Sequence, residues 1–168
     1  MTTAGVEAVQ AGTKLYLQCH HQSAALLFDG INAYNTCDRQ QFLDELYRCF
    51  PDLSSFFEQW YVGESSLWFT MSDGTIRTIL SSDGSQQGDP GGGFLFCVGA
   101  APKLQLISQA LPDCFVGSII DDVTVGAKIE QIPHAIQVVS APGRIWNQTC
   151  TTQMPNLYFP TECKSDSS

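Results

Sequence analysis

The side chains best suited to catalysis are three aspartates that lie at the ends of predicted strands. Asp29 follows the short apolar run 23–28, and the adjacent pair Asp121 and Asp122 lies between two β-branched runs, 118–120 and 123–125. Paired carboxylates in an apolar setting repel each other and are costly to desolvate, unless a cation neutralises them or the turn exposes them to water. Two interpretations therefore stay open for the pair, a divalent-metal site and a solvated hairpin turn.

A second candidate is the segment 81–93, which contains five glycines and has no apolar face. Glycines let the backbone approach a ligand closely, and Gln86 and Gln87 add amide donors and acceptors beside that backbone. By composition alone the segment could equally be a flexible surface loop. The apolar run that follows it predicts a buried helix, an arrangement typical of a binding loop.

The elements predicted around these candidates alternate between helices and strands. Hydrophobic periodicity predicts helices over 6–18 (interrupted at Gly12), from the N-cap Asp38 to Phe50, over 53–61 and over 94–111, and strands over 23–28, 67–71, 75–80, 113–120 and 123–127. The apolar and aromatic stripes of the two middle helices are interpreted as core. This order predicts an α+β fold with helices packed on one face of an antiparallel sheet.

Composition limits the class of protein. The 168 residues suffice for one domain with a real core, but the net charge is −9, whereas an autonomous nucleic-acid binder is normally basic. Seven scattered cysteines without a Cys-x-x-Cys pair favour reduced thiols in an intracellular protein over a zinc site or a disulfide framework. We find no signal-peptide pattern and no apolar run long enough for a membrane span, and the compartment stays open.

Three motifs together resemble the palm of a reverse transcriptase, in the order found in that family. They are Phe28-Asp29 followed by Asn32-Ala33-Tyr34-Asn35, then Gln86-Gln87-Gly88-Asp89-Pro90, and then Ile119-Ile120-Asp121-Asp122. The similarity covers roughly residues 5–127 and is closest to the polymerases of non-LTR retrotransposons. It implies a partial reverse transcriptase domain over 1–128, with the end of the fingers and a palm-like antiparallel sheet. Residues 129–168 are left unassigned, as a disordered or decayed tail.

The resemblance implies RNA-directed DNA polymerase activity and a role for each matching residue. Asp29, Asp121 and Asp122 match the catalytic, metal-binding aspartates, and Gly30 matches the residue whose carbonyl contacts the metal. Two Mg²⁺ ions, replaceable by Mn²⁺, would support nucleotidyl transfer from a dNTP to a primer 3′-hydroxyl. The remaining matches, Tyr34, Gln87 and Gly88, fall on nucleotide-binding positions, where the tyrosine ring would exclude a 2′-hydroxyl. The implied partners are an RNA or DNA template-primer and dNTPs.

The chain departs from the family in ways that bear on activity. Gly91-Gly92-Gly93 replaces the usual Leu-Gly-Pro, and the basic fingers residues, the later lysine segment and the thumb have no counterpart. An isolated acidic palm would repel its template, so we expect weak nucleic-acid binding and weak or no independent activity. An alternative is therefore a non-catalytic retroelement remnant that keeps the aspartates. Another is an unrelated α+β domain whose acidic hairpin binds Ca²⁺, which predicts that Asp29 lies far from Asp121.

Overall fold

The computed structural model describes residues 5–30, 32–86 and 88–141 and the backbone of 156–158. The elements in chain order are α1 (Gly5–Cys19), β1 (Ser23–Phe28), α2 (Ala33–Thr36), α3 (Arg39–Cys49), α4 (Pro51–Tyr61), β2 (Ser65–Thr70), β3 (Ile76–Ser81), α5 (Gly92–Ala110), β4 (Phe115–Ile119), β5 (Asp122–Lys128), a 3₁₀ turn (Ile129–Gln131), α6 (Ile132–Ser140) and β6 (Asn156–Tyr158). This composition confirms the predicted α+β class.

The chain divides into two compact units. The sheet unit comprises 1–31, 102–142 and 151–168, and the hairpin unit comprises 32–101 and 143–150. The sheet unit holds a four-stranded antiparallel sheet in the order β4-β5-β1-β6, and the hairpin unit holds the two-stranded sheet β2-β3. Each unit carries one of the two candidate sites.

Strand β1 is an interior strand of its sheet, which explains its nearly continuous apolar sequence. It pairs antiparallel with β5, from Ser23 opposite Lys128 to Phe28 opposite Val123. Five of its six residues are buried, including Leu26 and Phe28. A strand with partners on both edges and cover on both faces needs no polar alternation.

Helix α1 packs against the sheet through close contacts at glycines. A Cβ atom at Gly12 would lie 2.4 Å from the Phe115 ring, and one at Gly117 would lie 2.8 Å from Val9 Cγ1. The helix runs through Gly12 without the predicted interruption. The missing side chain at this position lets α1 approach β4 closely. The opposite sheet face, which carries Val123 and Val125, is also buried, and α6 packs against β5.

In the hairpin unit, the predicted cap and stop signals lie where the sequence places them. Asp38 accepts a hydrogen bond from the backbone N–H of Gln41 at 3.1 Å and so begins α3. Pro51 is the first residue of α4, a position where its missing N–H costs nothing. The interpretation of the two stripes as core was wrong in part. Tyr61 is buried, but Phe56 and Trp60 are 57% and 63% exposed, and Tyr47, Phe50 and Leu53 are exposed as well.

Several other expectations can be compared with the structure. The hairpin around Asp73-Gly74 is confirmed as β2-β3, and α5 continues through Pro102. Residues 129–140, which the sequence left without an assignment, form the 3₁₀ turn and α6; the domain boundary at 128 stays a prediction. Among the described residues, Cys19, Cys37, Cys49 and Cys114 carry free thiols. Among those residues no helix is long and apolar enough to cross a membrane.

Candidate metal site and glycine-rich loop

The sheet register brings the first aspartate to the aspartate pair. Asp29 directly follows Phe28, the residue of β1 that pairs with Val123, so it lies beside Asp122 at the same end of the sheet. Asp122 is itself the first residue of β5 and pairs with Ile119 of β4. The β4-β5 turn therefore consists of Ile120 and Asp121 alone. Carboxylates from two distant parts of the chain, Asp29 and the pair Asp121 and Asp122, therefore lie at the same end of the sheet.

The charges of these carboxylates affect one another. The pKa of Asp122 is raised above its ordinary value, first by partial burial and then by the negative charges of Asp121 and Asp29. This repulsion is the electrostatic condition that a bound cation relieves. The Ca²⁺-binding alternative predicted that Asp29 lies far from Asp121. The register places Asp29 beside Asp122, the neighbour of Asp121, which argues against that alternative.

The turn that carries Asp121 is conformationally strained. Ile120 has φ +56°, a left-handed backbone conformation that is unfavourable for a β-branched side chain. The Ser118 hydroxyl donates a hydrogen bond to the Ile120 carbonyl at 3.2 Å and helps to hold the turn. Backbone strain of this kind costs of order 1–3 kcal/mol and persists only where the surrounding structure imposes it. Here the two flanking strands fix the position of Asp121.

The donor set suits a hard divalent cation. The available donors are the carboxylate oxygens of Asp29 and Asp121 and the backbone carbonyl of Gly30, which follows Asp29. Oxygen donors of this type are the ligands that Mg²⁺ and Mn²⁺ prefer. In the part of the chain that the structure describes, no three His, Cys, Asp or Glu side chains converge into a preformed metal site. Mg²⁺ does not need one, since it commonly binds through one or two carboxylates and keeps several waters. The residues therefore fit a magnesium site that is completed by water and substrate.

The glycine-rich loop of the hairpin unit is held in place by a buried arginine. Arg39 is 6% exposed and donates hydrogen bonds to the carbonyls of Gly63, Ser81 and Gly84 at 2.9–3.0 Å, and to the Ser81 hydroxyl at 3.0 Å. Its guanidinium also lies 5.5 Å from the centre of the Tyr61 ring. A planar group with five donors can join three chain segments in this way. The interpretation of this segment as a flexible linker therefore does not hold.

Tyr61 and Asp89 anchor the far end of the same loop. The Tyr61 hydroxyl donates a short hydrogen bond to Asp89 and accepts one from the Gln86 N–H at 3.2 Å. Asp89 Oδ1 also accepts the N–H of Gly91 at 2.8 Å, immediately before α5. These hydrogen bonds hold Gln86 and the segment 89–91 in place ahead of α5.

The predicted nucleotide-binding residues belong to this unit. The Tyr34 ring stacks on Phe96, with ring centres 5.1 Å apart and planes 21° apart. Gly88 is exposed, with φ +93° and open space where a side chain would lie. Gln87 lies outside the described residues. The roles predicted for all three stay predictions.

Sequence reasoning gave Arg39 and Tyr61 no role in organising the loop. Arg39 occupies the same helical stripe as Phe42, Leu43 and Leu46, at positions i, i+3, i+4 and i+7. An arginine in an otherwise buried stripe indicates a buried guanidinium, and a buried guanidinium needs several hydrogen-bond acceptors. That signal was present in the sequence, but the acceptors are backbone carbonyls, which no motif identifies.

We expect Tyr61 to resist ionisation. Burial, followed by its hydrogen bond to Asp89, raises its pKa to about 12 from the ordinary 10. The folded chain then holds a proton that the unfolded chain has lost, so stability should fall as pH rises from about 10 to about 12. The pKa of Tyr16 is also raised, chiefly by burial, so ultraviolet titration should show a late-ionising component to which Tyr61 contributes. Tyr61→Phe should reduce this component. A wild-type titration without a late component would contradict the burial of this hydroxyl.

No protein family matches the chain, and a search of curated proteins gave no significant match.

Proposed function

We propose that the chain is the palm portion of an RNA-directed DNA polymerase, which transfers a nucleotide from a dNTP to a primer 3′-hydroxyl. The observation that carries this proposal is the meeting of Asp29 with Asp121 and Asp122 at one end of an antiparallel sheet. Asp29 and Asp122 are exposed and Asp121 is half-buried, as in a solvated hairpin turn, but such a turn does not by itself explain a third carboxylate, from a strand about ninety residues earlier, at the same end of the sheet. A cation-binding role does.

In this proposal Asp29 and Asp121 hold the metals, the Gly30 carbonyl supplies a further oxygen, and Asp122 adds negative charge beside them. When bound, two Mg²⁺ ions supply the positive charge that activates the primer hydroxyl and stabilises the triphosphate. The strained Ile120 turn and the β1-β5 pairing keep the carboxylates in place before the metals arrive. Such preorganisation reduces the reorganisation needed for reaction.

The hairpin unit supplies the proposed nucleotide contacts. Stacking on Phe96 limits the movement of the Tyr34 ring. A ring that excludes a 2′-hydroxyl by collision must stay in one position. Arg39 and Tyr61 hold both ends of the loop that contains Gly88. The open space at Gly88 allows close approach of a nucleotide or template strand.

The distribution of positive charge favours a second candidate, a non-catalytic remnant. Only eight lysines and arginines oppose seventeen acidic residues. Arg39 and Lys103 are buried, and Arg48 forms an ion pair with Glu45 at 2.6 Å. Among the described residues this leaves Lys14, Arg77 and Lys128 as further exposed cations, and with a net charge of −9 we expect weak template binding by this chain.

Both candidate functions assume that the aspartates bind a divalent metal ion, so a metal-binding measurement tests that assumption. We expect electron paramagnetic resonance titration to show Mn²⁺ binding that Mg²⁺ displaces. Asp29→Asn and Asp121→Asn should each weaken binding at least about tenfold, the lower end of the loss that changes around metal ligands cause. The matched control is Asp52→Asn, since Asp52 is an exposed carboxylate in the first turn of α4. Unaltered binding in the Asp29 variant would refute the metal site.

Primer extension separates the two candidates. Because the acidic chain should bind template weakly, the assay is made at low salt with a large excess of annealed template-primer. Under these conditions a polymerase palm should extend the primer slowly, and Asp121→Asn should abolish the extension. A remnant should bind Mn²⁺ through the same aspartates without adding nucleotides. The metal titration thus shows whether the aspartates form a metal site. The extension assay shows whether that site catalyses nucleotide addition.

A further inference from the structure

The β2-β3 hairpin exposes an unusual amount of apolar surface. Seven large apolar side chains in 67–80 are between 38% and 74% exposed: Leu67, Trp68, Phe69, Met71, Ile76, Ile79 and Leu80. They lie on both faces of the hairpin, since successive strand residues point to opposite sides. A two-stranded hairpin is at best marginally stable alone in water, and contiguous patches of this kind usually mark an interface.

The two edges of this hairpin differ in how well they are protected. Within the described residues the hairpin forms a two-stranded sheet, so β2 and β3 each have one unpaired edge. β3 carries Arg77, and a charge on an edge strand discourages further pairing. β2, with the sequence Ser-Ser-Leu-Trp-Phe-Thr, carries no charge and no proline, and its register with β3 contains no bulge. β2 is therefore the edge open to another strand.

The sequence of β2 is compatible with pairing to itself. In an antiparallel pair related by a two-fold axis through Trp68, the two Trp68 side chains lie opposite each other. Leu67 then faces the partner's Phe69, and Ser66 faces the partner's Thr70. Aromatic, apolar and hydroxyl pairs of this kind each stabilise a sheet, and no like charges oppose each other.

We propose that β2 is the contact surface of a symmetric dimer of this chain, in which the two hairpins join into one four-stranded antiparallel sheet. Two six-residue edges form an interface that is small beside the ~1,000 Å² that a specific, stable interface usually exceeds. Unpaired backbone N–H and C=O groups of β2 gain partners at the same time. The small area predicts a reversible dimer.

Sedimentation velocity over a wide concentration range, under reducing conditions because Cys19 and Cys49 are exposed, tests this proposal. We expect a monomer-dimer equilibrium for the wild type. Trp68→Lys places two ammonium groups opposite each other across the axis and should weaken dimerisation at least about 100-fold. Leu67→Lys, on the other face of the same strand, should also weaken it. Circular dichroism checks that each variant folds.

Two matched controls locate the interface. Thr78→Lys places the same charge directly opposite Trp68 within the hairpin, but on β3, and should leave the dimer intact. Trp60→Lys removes an equally exposed indole from α4 and should also leave it intact.

Several results would overturn the proposal. They are a wild type that is monomeric at all concentrations, a dimer that survives Trp68→Lys and Leu67→Lys, and open-ended oligomers. Equal disruption by Thr78→Lys would show that the hairpins pack face to face. Equal disruption by Trp60→Lys would show non-specific apolar association. A monomeric wild type would mean that a different partner covers β2.

Discussion

Replacing Gly84 with alanine should destabilise the chain by about 3 kcal/mol or more, the sum of a backbone and a steric cost. Gly84 has φ +75°, a conformation that costs an alanine about 1–2 kcal/mol. A Cβ atom there would also lie 2.5 Å from the Tyr34 carbonyl oxygen and from the Asn35 carbonyl carbon. Both are backbone atoms that cannot rotate away, so the loop or α2 must move. Urea denaturation measures the loss.

Gly74→Ala is the matched control, because it separates the two costs. Gly74 has φ +82°, but nothing lies within 4 Å of an added Cβ atom. This variant should therefore lose only the conformational part, about 1–2 kcal/mol. Equal losses for the two variants would show that the chain at Gly84 is not held against α2 as described.

Replacing Arg39 with methionine should destabilise the hairpin unit by about 2–4 kcal/mol, because buried carbonyls lose a charged donor. Methionine keeps much of the side-chain volume but none of the four hydrogen bonds to Gly63, Ser81 and Gly84. Arg39→Lys should recover only part of the loss, since an ammonium cannot reproduce the planar fork. Hydrogen exchange should be faster at the Gly84 and Ser85 amides in both variants.

Arg48→Met provides the control for loss of an arginine. The Arg48 side chain is 63% exposed and pairs with Glu45 one helical turn away. Exposed pairs of this type contribute about 0–1 kcal/mol. If Arg39→Met were no more harmful than Arg48→Met, the buried arginine would not be what holds the loop.

Local signals in the sequence predicted the secondary structure well. The run 23–28, the cap at Asp38, the Asp73-Gly74 turn and the β-branched runs beside the aspartate pair all lie in the predicted elements. Each of these depends on interactions between residues close in sequence. The four-residue helix α2, which begins after Asn32 in a left-handed conformation, carries no such signal and was missed.

Properties that depend on distant contacts were harder to predict. The exposure of Phe56 and Trp60 could not be predicted, because helical spacing shows which residues share a face but not what covers it. The proximity of Asp29 to Asp122 followed only from the family resemblance, since strand pairing across about ninety residues leaves no local signal. The carbonyl acceptors of Arg39 were unpredictable for the same reason.

The order of the sheet strands has a consequence for biosynthesis. The interior strand β1 is made early, yet its partners β5 and β6 lie about a hundred residues later. At a synthesis rate of about 5–20 residues per second, β1 waits roughly 5–20 s for a partner. The main segment of the hairpin unit, 32–101, lies between β1 and β5 in sequence and can fold during this wait. A ribosome-bound chain that ends before residue 122 would therefore leave apolar β1 accessible to chaperones.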